Sequence, residues 1–177
     1  VGTGSGSSPF DAYAPWSGMK ECNLDDNGTV AAWKGDGGFS RGAWRVMVYI
    51  PEFYFKYKES GTKKYFYISD RAKNDFVKHP GSGKFVGRYV TALDSAGTVQ
   101  YIFSQTAGSV GVNIKRADAR TLAKKNGEKF HLYDFATYCA IIFLYIVEFA
   151  DWNCQAKIGR GYVDGNSSAI NSGGTDS

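Results

Sequence analysis

Few residues in this chain are of a type and spacing that could carry chemistry. The two histidines are far apart, His79 before Pro80 and His131 before Leu132 and Asp134. Hydrolytic or redox catalysis needs a nucleophile, a base and an orienting group, and candidates for those roles are scarce. His131 sits at a helix entry, where an imidazole hydrogen-bonds backbone, and His79 reads as a turn residue. Glu148 and Asp151 fall three apart on a predicted helix. They could share a face as an acid/base pair, but capping, a salt bridge to Arg116 or Arg120, or plain solvation accounts for them better. Cys22, Cys139 and Cys154 form no CxxC pair and have no histidine at metal-ligand spacing. Gly159 and Gly161 follow a helix rather than open one, so their amides point the wrong way for a phosphate and they read as a helix stop. Tyr54, Tyr65, Tyr67 and Trp152 are the remaining chemical asset, since tyrosine and tryptophan join a large apolar face to a polar handle suited to a sugar or a protein partner. Packing of the domain itself accounts for most of them. No catalytic residue, metal ligand or cofactor is therefore assigned, and the ligand-binding residues stay unassigned.

The element that must position all of these is the stretch Asp134 to Asn153, nearly all apolar, with Asp134 as its N-cap. A helix with apolar side chains on every face must be wrapped by other elements, so it is expected to be enclosed on all sides. Its uninterrupted apolar run, Cys139 to Val147, is far shorter than the ~20 residues a bilayer requires. Ile114 to Asn126 predicts a second, basic helix with Ala119, Leu122 and Ala123 as its buried stripe and Gly127 as C-cap. Leu24 to Asp26 and Thr29 to Lys34 predict a small hairpin around Asn27-Gly28. Trp44 to Lys58 reads as one strand, apolar on both faces at first and half exposed later, with Pro51 marking a bulge or an edge. The loop Glu59 to Thr62 turns it back into Lys63 to Ser69, with Phe66 and Ile68 on one face. A further strand is expected at Phe85 to Val90. Thr91 to Val112 reads as loop, with Tyr101-Ile102-Phe103 as its apolar knot.

Residues 1–8 are read as a flexible lead-in, 9–161 as a single α+β domain, and 162–177 as a loop or disordered tail. At 177 residues the chain can bury a real core. Aromatics make up 16%, with twelve tyrosines and twelve phenylalanines, a composition suited to β-structure and adhesive surfaces. The net charge of +4 is mild and the lysines Lys56, Lys58, Lys63, Lys64, Lys73, Lys78 and Lys84 are scattered among strand and turn residues. A solvated strand face explains them better than a nucleic-acid groove. The odd cysteine count argues against a secreted disulfide framework and for a reduced protein made inside a cell. Cys139 is expected to pack as a small hydrophobe.

The ordered series Val46 to Lys56, Ile68-Ser69, His79-Pro80, Val86 to Tyr89, Arg116 to Ala119, His131-Leu132, Asp134, Glu148 to Gln155 and Ile158 to Gly161 resembles the head domains of bacteriophage and prophage tail proteins. These share a C-type-lectin-like fold with formylglycine-generating enzymes and with the variable proteins of diversity-generating retroelements. The resemblance spans roughly Pro9 to Gly161 and implies two helices packed on a small antiparallel sheet. It also implies a second half, with a Trp-Gly-Asn-type segment and further strands, that this sequence lacks; the active cysteines of the related enzymes lie in that half. The fold is accordingly expected to be incomplete, with an unpaired sheet edge and an uncovered helix face, to be closed by a missing C-terminal fragment or a neighbouring protomer. The function implied is non-enzymatic: a virion tail or tail-fibre domain, made in the host cytoplasm and expected to form a homo-oligomer, that recognises a bacterial surface protein or glycan without binding nucleic acid or inserting into membrane. An oxidase fragment of the formylglycine-generating type and a bacterial surface adhesin are the alternatives.

Overall fold

Pro51 divides the architecture. In the computed structural model, which describes residues 8–43, 45–89, 91–93, 102–104, 109–110 and 114–159, the segment expected to be one strand is two: β3, Val46–Ile50, and β4, Tyr54–Ser60. They lie in different sheets. Proline has no N–H to continue a ladder. Beyond it the backbone bonds elsewhere: the Phe53 carbonyl accepts from the His79 N–H at 2.9 Å. The expected bulge is thus a switch between sheets. The described chain is a mixed α+β protein, and its contacts group into two units.

One unit takes the described parts of residues 1–19, 50–84 and 133–161. Its sheet has the order β5-β4-β6, with β5 at Lys63–Ser69 and β6 at Val77–Lys78. The β4–β5 hairpin closes through Gly61 and Thr62, with Gly61 at φ +58°, a left-handed conformation that glycine adopts without strain. The register pairs Phe55 with Ile68, Tyr57 with Phe66, and Lys56 with Tyr67. Alternation puts Phe66 and Ile68 on one face, as the sequence pattern predicts, and the register adds Phe55 to them. That face packs on α2 (Phe135–Phe149), where Phe143 stands edge-on to Phe55 at 5.0 Å and to Phe66 at 5.1 Å.

Asp134 caps α2 as expected, accepting from the Thr137 N–H at 2.7 Å, and pairs with Lys84 at 2.9 Å. Its carboxyl is held well below the usual range by the bonds to Thr137 and then Lys84, against a smaller opposing effect of burial. The helix is rich in β-branched residues of modest helical propensity, so packing rather than propensity sustains it. It stops earlier than expected, at Ala150 in the left-handed region (φ 51°). A short α3, Cys154–Ile158, follows, capped by the Asn153 side chain accepting from the Ala156 N–H at 3.1 Å.

Enclosure of α2 on all sides is not what the structure shows. Ala140, Leu144, Tyr145 and Phe149 are buried, but Phe135 is 79% and Tyr138 48% exposed. The burial runs as a stripe at helical spacing, and the aromatic N-terminal turn faces water. Gly81 explains how tightly the other side is held: a Cβ there would lie 2.0 Å from the Ala136 carbonyl oxygen.

The other unit takes the described parts of residues 20–49 and 85–132. Its sheet runs β2-β1-β3-β7, with β1 at Lys20–Leu24, β2 at Val30–Trp33 and β7 at Lys84–Gly87. The predicted hairpin is present but its first strand begins earlier. Its turn is held by the Asp25 carboxylate, which accepts from the N–H groups of Asn27 (2.9 Å) and Thr29 (2.8 Å). On β1 the nearly buried Glu21 pairs with Lys34 at 3.1 Å, Arg41 at 2.9 Å and Arg88 at 3.4 Å. Burial raises its carboxyl, yet Arg41, Lys34 and Arg88 together outweigh that and leave it lowered. The basic helix is α1, Arg116–Lys124, with Leu122 and Ala123 buried against Ile114, Ala119 and Leu132. The cap is Lys125 rather than the expected Gly127, which lies two residues further on at φ +136°, where a Cβ would lie 2.1 Å from the Asp26 carbonyl oxygen.

Part of the stretch expected to be loop contains strands: β8 (Ala92–Leu93), β9 (Ile102–Phe103) and β10 (Ser109–Val110) form a small antiparallel sheet in the order β10-β8-β9. Two-residue strands are too short to leave a periodic signal. Helix α1 lies against β9 and α2 against β5, so the two helices do not share one small sheet as the resemblance implied. Ser8, placed in the lead-in, caps the 3-10 turn Pro9–Ala12 by accepting from the Phe10 N–H at 3.2 Å. Trp44, Val90, Tyr101, Gly161, residues 1–7 and the tail 162–177 lie outside the described residues.

His79 is the buried centre of the first unit, 4% exposed between Phe53 at 5.1 Å and Phe55 at 4.9 Å. Its Nδ1 accepts from the Gly81 N–H at 3.1 Å, which places the ring proton on Nε2. Burial, with a smaller contribution from Lys84, pushes its pKa below 6.5. The unfolded chain therefore takes up the proton first, so the contribution of His79 to stability is full above 6.5 and falls as pH drops below it. Melting curves should show this decline ahead of the carboxylate range, and a His79→Gln variant, weaker at every pH, should lose it; an unchanged slope would contradict the sealed imidazole. Gly81→Ala should destabilise by about 3 kcal/mol in urea unfolding, the upper end of overpacking costs, with a loss under ~0.5 kcal/mol showing that the turn and α2 are not in contact.

Candidate functional site

The period of two that sends Phe55, Phe66 and Ile68 inward sends another set outward. On β4 these are Tyr54, Lys56 and Lys58; on β5 they are Lys63, Tyr65 and Tyr67. The register sets Lys56 opposite Tyr67, Lys58 opposite Tyr65, Ser60 opposite Lys63, and Tyr54 between Ser69 and Lys78 of β6. Directly opposed residues share a face and lie close enough to act together. The result is a sheet surface on which Lys56 and Lys58, consecutive along β4, face Tyr67 and Tyr65, consecutive along β5, across the ladder. Tyr65 and Tyr67 are 37% and 41% exposed, with near-parallel rings 6.4 Å apart and 9° between their planes.

Charge on this face is only partly compensated. Lys56 pairs with Asp75 at 3.2 Å, and Lys78 bonds Glu52. Lys58 and Lys63 are exposed, and among the described residues neither has a carboxylate within ion-pair distance. Glu59 belongs to the opposite face, where it accepts from the Tyr57 hydroxyl and pairs with Lys64 at 3.6 Å. That interaction lowers the Glu59 carboxyl, through Tyr57 first and Lys64 second. The outward positions of β4 and β5 hold no acidic residue. Such a face can stack on flat apolar surfaces and attract anions at once.

Of the aromatics singled out from sequence, three are brought together here and the fourth is not. Trp152 packs edge-on against Phe66 at 5.7 Å, on the helix side of the sheet. The lysines were read from sequence as a solvated strand face. What that reading lacked was register, since the alternation of Lys56 and Lys58 and that of Tyr65 and Tyr67 are each visible locally, but their superposition on one surface needs the pairing.

The remaining candidates are placed as follows. His131 is exposed, with Nδ1 2.8 Å from its neighbour's carbonyl, Leu132 O, the backbone contact expected of it. Asp151 accepts from the Asn153 N–H at 2.9 Å and pairs with Lys157 at 3.6 Å, a local turn contact. Glu148 is half-buried on α2. All three cysteines are free. Burial pushes the Cys22 thiol up to about 11, which keeps it protonated and unreactive. Cys139 is half-buried within α2, and Cys154 is exposed at the start of α3. Among the described residues no group of three His, Cys, Asp or Glu side chains is placed to hold a metal ion, and no helix is long and apolar enough to cross a membrane. Gly159, at φ +86°, ends α3.

Compared with known proteins, the chain matches no family model, no curated protein and no solved structure.

Proposed function

We propose that this chain is a non-enzymatic recognition domain of a bacteriophage tail or tail fibre, of the C-type-lectin-like class, that attaches to the surface of a bacterial host. The fold reading rests on the motif series from Val46 to Gly161. The observation that carries the recognition role is the outward face of the β4–β5 hairpin, where Tyr54, Tyr65 and Tyr67 interleave with Lys56, Lys58 and Lys63. Tyr54 is half-buried, but Tyr65 and Tyr67 are exposed side by side; exposed rings in a group cost solvation and gain little for folding, whereas in a binding surface they supply contact area with few rotamers to freeze. The mechanism is contact by many weak sites. Several copies on one particle turn a modest single-site affinity into firm attachment, because after the first contact the others form at high effective concentration.

Labelled protein, coupled in many copies to fluorescent beads, should show saturable attachment to some strains in a panel of bacterial species and be competed by free protein. Attachment to no strain, or equal attachment to all strains and to bare glass, would overturn the recognition role. Copper-dependent oxidation of a cysteine peptide by the same sample would instead assign it to the oxidases.

A further inference from the structure

The partner of this face is set by its chemistry. We infer that the outward face of the β4–β5 hairpin binds an acidic polysaccharide of the bacterial envelope, with Tyr65 and Tyr67 under the sugar rings and Lys58 and Lys63 on its carboxylate or phosphate groups. The inference rests on the recognition role proposed for the domain and names its ligand class.

Three observations converge on it. First, every lysine of the central rows lies directly across the ladder from a tyrosine, Lys56 from Tyr67 and Lys58 from Tyr65. A ligand seated there meets an apolar ring and a cation within one step of the sheet, which suits a polymer whose units each carry an apolar C–H face and a negative group. Second, the charge is complementary to an anion and not neutralised in place: Lys58 and Lys63 have no carboxylate partner among the described residues. Third, the scaffold is rigid. The opposite face is anchored by the Phe55, Phe66 and Phe143 rings, so the tyrosines are held in place before a ligand arrives, and less ordering is needed on binding.

Nucleic acid is a poorer fit. Its affinity comes chiefly from neutralising many phosphates, and single strands are followed along a groove of basic residues. Here Lys56 and Lys78 are already engaged by Asp75 and Glu52, leaving too few cations for a phosphate chain. An acidic protein surface would need apolar pockets for anchors, and a two-stranded face offers a flat platform.

The test immobilises the chain in many copies on an interferometry sensor and compares hyaluronan as an acidic polysaccharide, dextran as a neutral one, and a single-stranded oligothymidine. Hyaluronan should bind, should weaken as salt rises, and should exceed both dextran and the oligothymidine. Tyr65→Ala/Tyr67→Ala and, separately, Lys58→Glu/Lys63→Glu should each reduce binding on the order of tenfold or more, with thermal midpoints measured alongside. The lysine pair leaves the packed face untouched and keeps the test valid if the tyrosine pair unfolds. Equal binding of dextran, stronger binding of the oligothymidine, or undiminished binding by the lysine variant would each overturn the inference. Bead attachment to cells that survives both variants would sink this face while leaving the recognition role standing, whereas failure of the unmodified protein to attach to any strain would remove that role itself.

Discussion

The contact on which the rest of this structure depends is the seating of Phe143 against Phe55 and Phe66. A hairpin alone is marginal in water and needs a hydrophobic face packed on something else. Helix α2 is that something, and its ring at position 143 is wedged edge-on to both strands. Because side chains alternate with a period of two, fixing those rings inward fixes every other residue of the hairpin outward. A one-residue slip of β4 would turn Lys56 and Lys58 inward and Phe55 outward. The tyrosine–lysine surface is therefore not an independent feature but the reverse side of the aromatic packing.

The proline that separates β3 from β4 serves the same end. Had Val46 to Lys58 continued as one strand, Tyr54 to Lys58 would have extended the sheet that holds Cys22 and Val46, both fully buried. Ending β3 at Ile50 frees the later residues to pair with β5 and β6. Phe53, fully buried, and its carbonyl bond to His79 then hold the new direction.

What could be read from sequence was whatever local chemistry determines. Asp134 as a cap, Gly61 in a tight turn, Leu122 and Ala123 on the buried stripe of α1, and Phe66 with Ile68 on one face all follow from short windows, and the structure places each of them so. Where the determinant was a distant partner, the sequence was silent. The three cations around Glu21 come from residues 34, 41 and 88; the two-residue strands β8 to β10 exist only as a mutual pairing; and Trp152, 68% exposed, contacts Phe66 on the face opposite the outward tyrosines. The end of α2 was missed for a different reason. A non-glycine residue, Ala150, adopts the left-handed conformation that usually signals itself by glycine.

Apolar composition also misled on the environment of α2, and the correction bears on the binding face. A helix can be greasy all round and still be buried on a stripe if its excess apolar residues cluster at one end, as Phe135 and Tyr138 do. Those rings and the outward pair Tyr65 and Tyr67 are both exposed aromatic groups of the first unit, and they differ in one respect. Tyr138 contacts both Tyr133 and Phe135, and the nearby Lys84 is already committed to Asp134. Tyr65 and Tyr67 have Lys58 and Lys56 opposite them. Lys63 and Lys64 also open the edge strand β5 and point to opposite faces, an arrangement that discourages a second strand from adding to that edge. The same residues that keep the hairpin from pairing with another chain leave its flat face open, and charge then selects among possible occupants in favour of an anion.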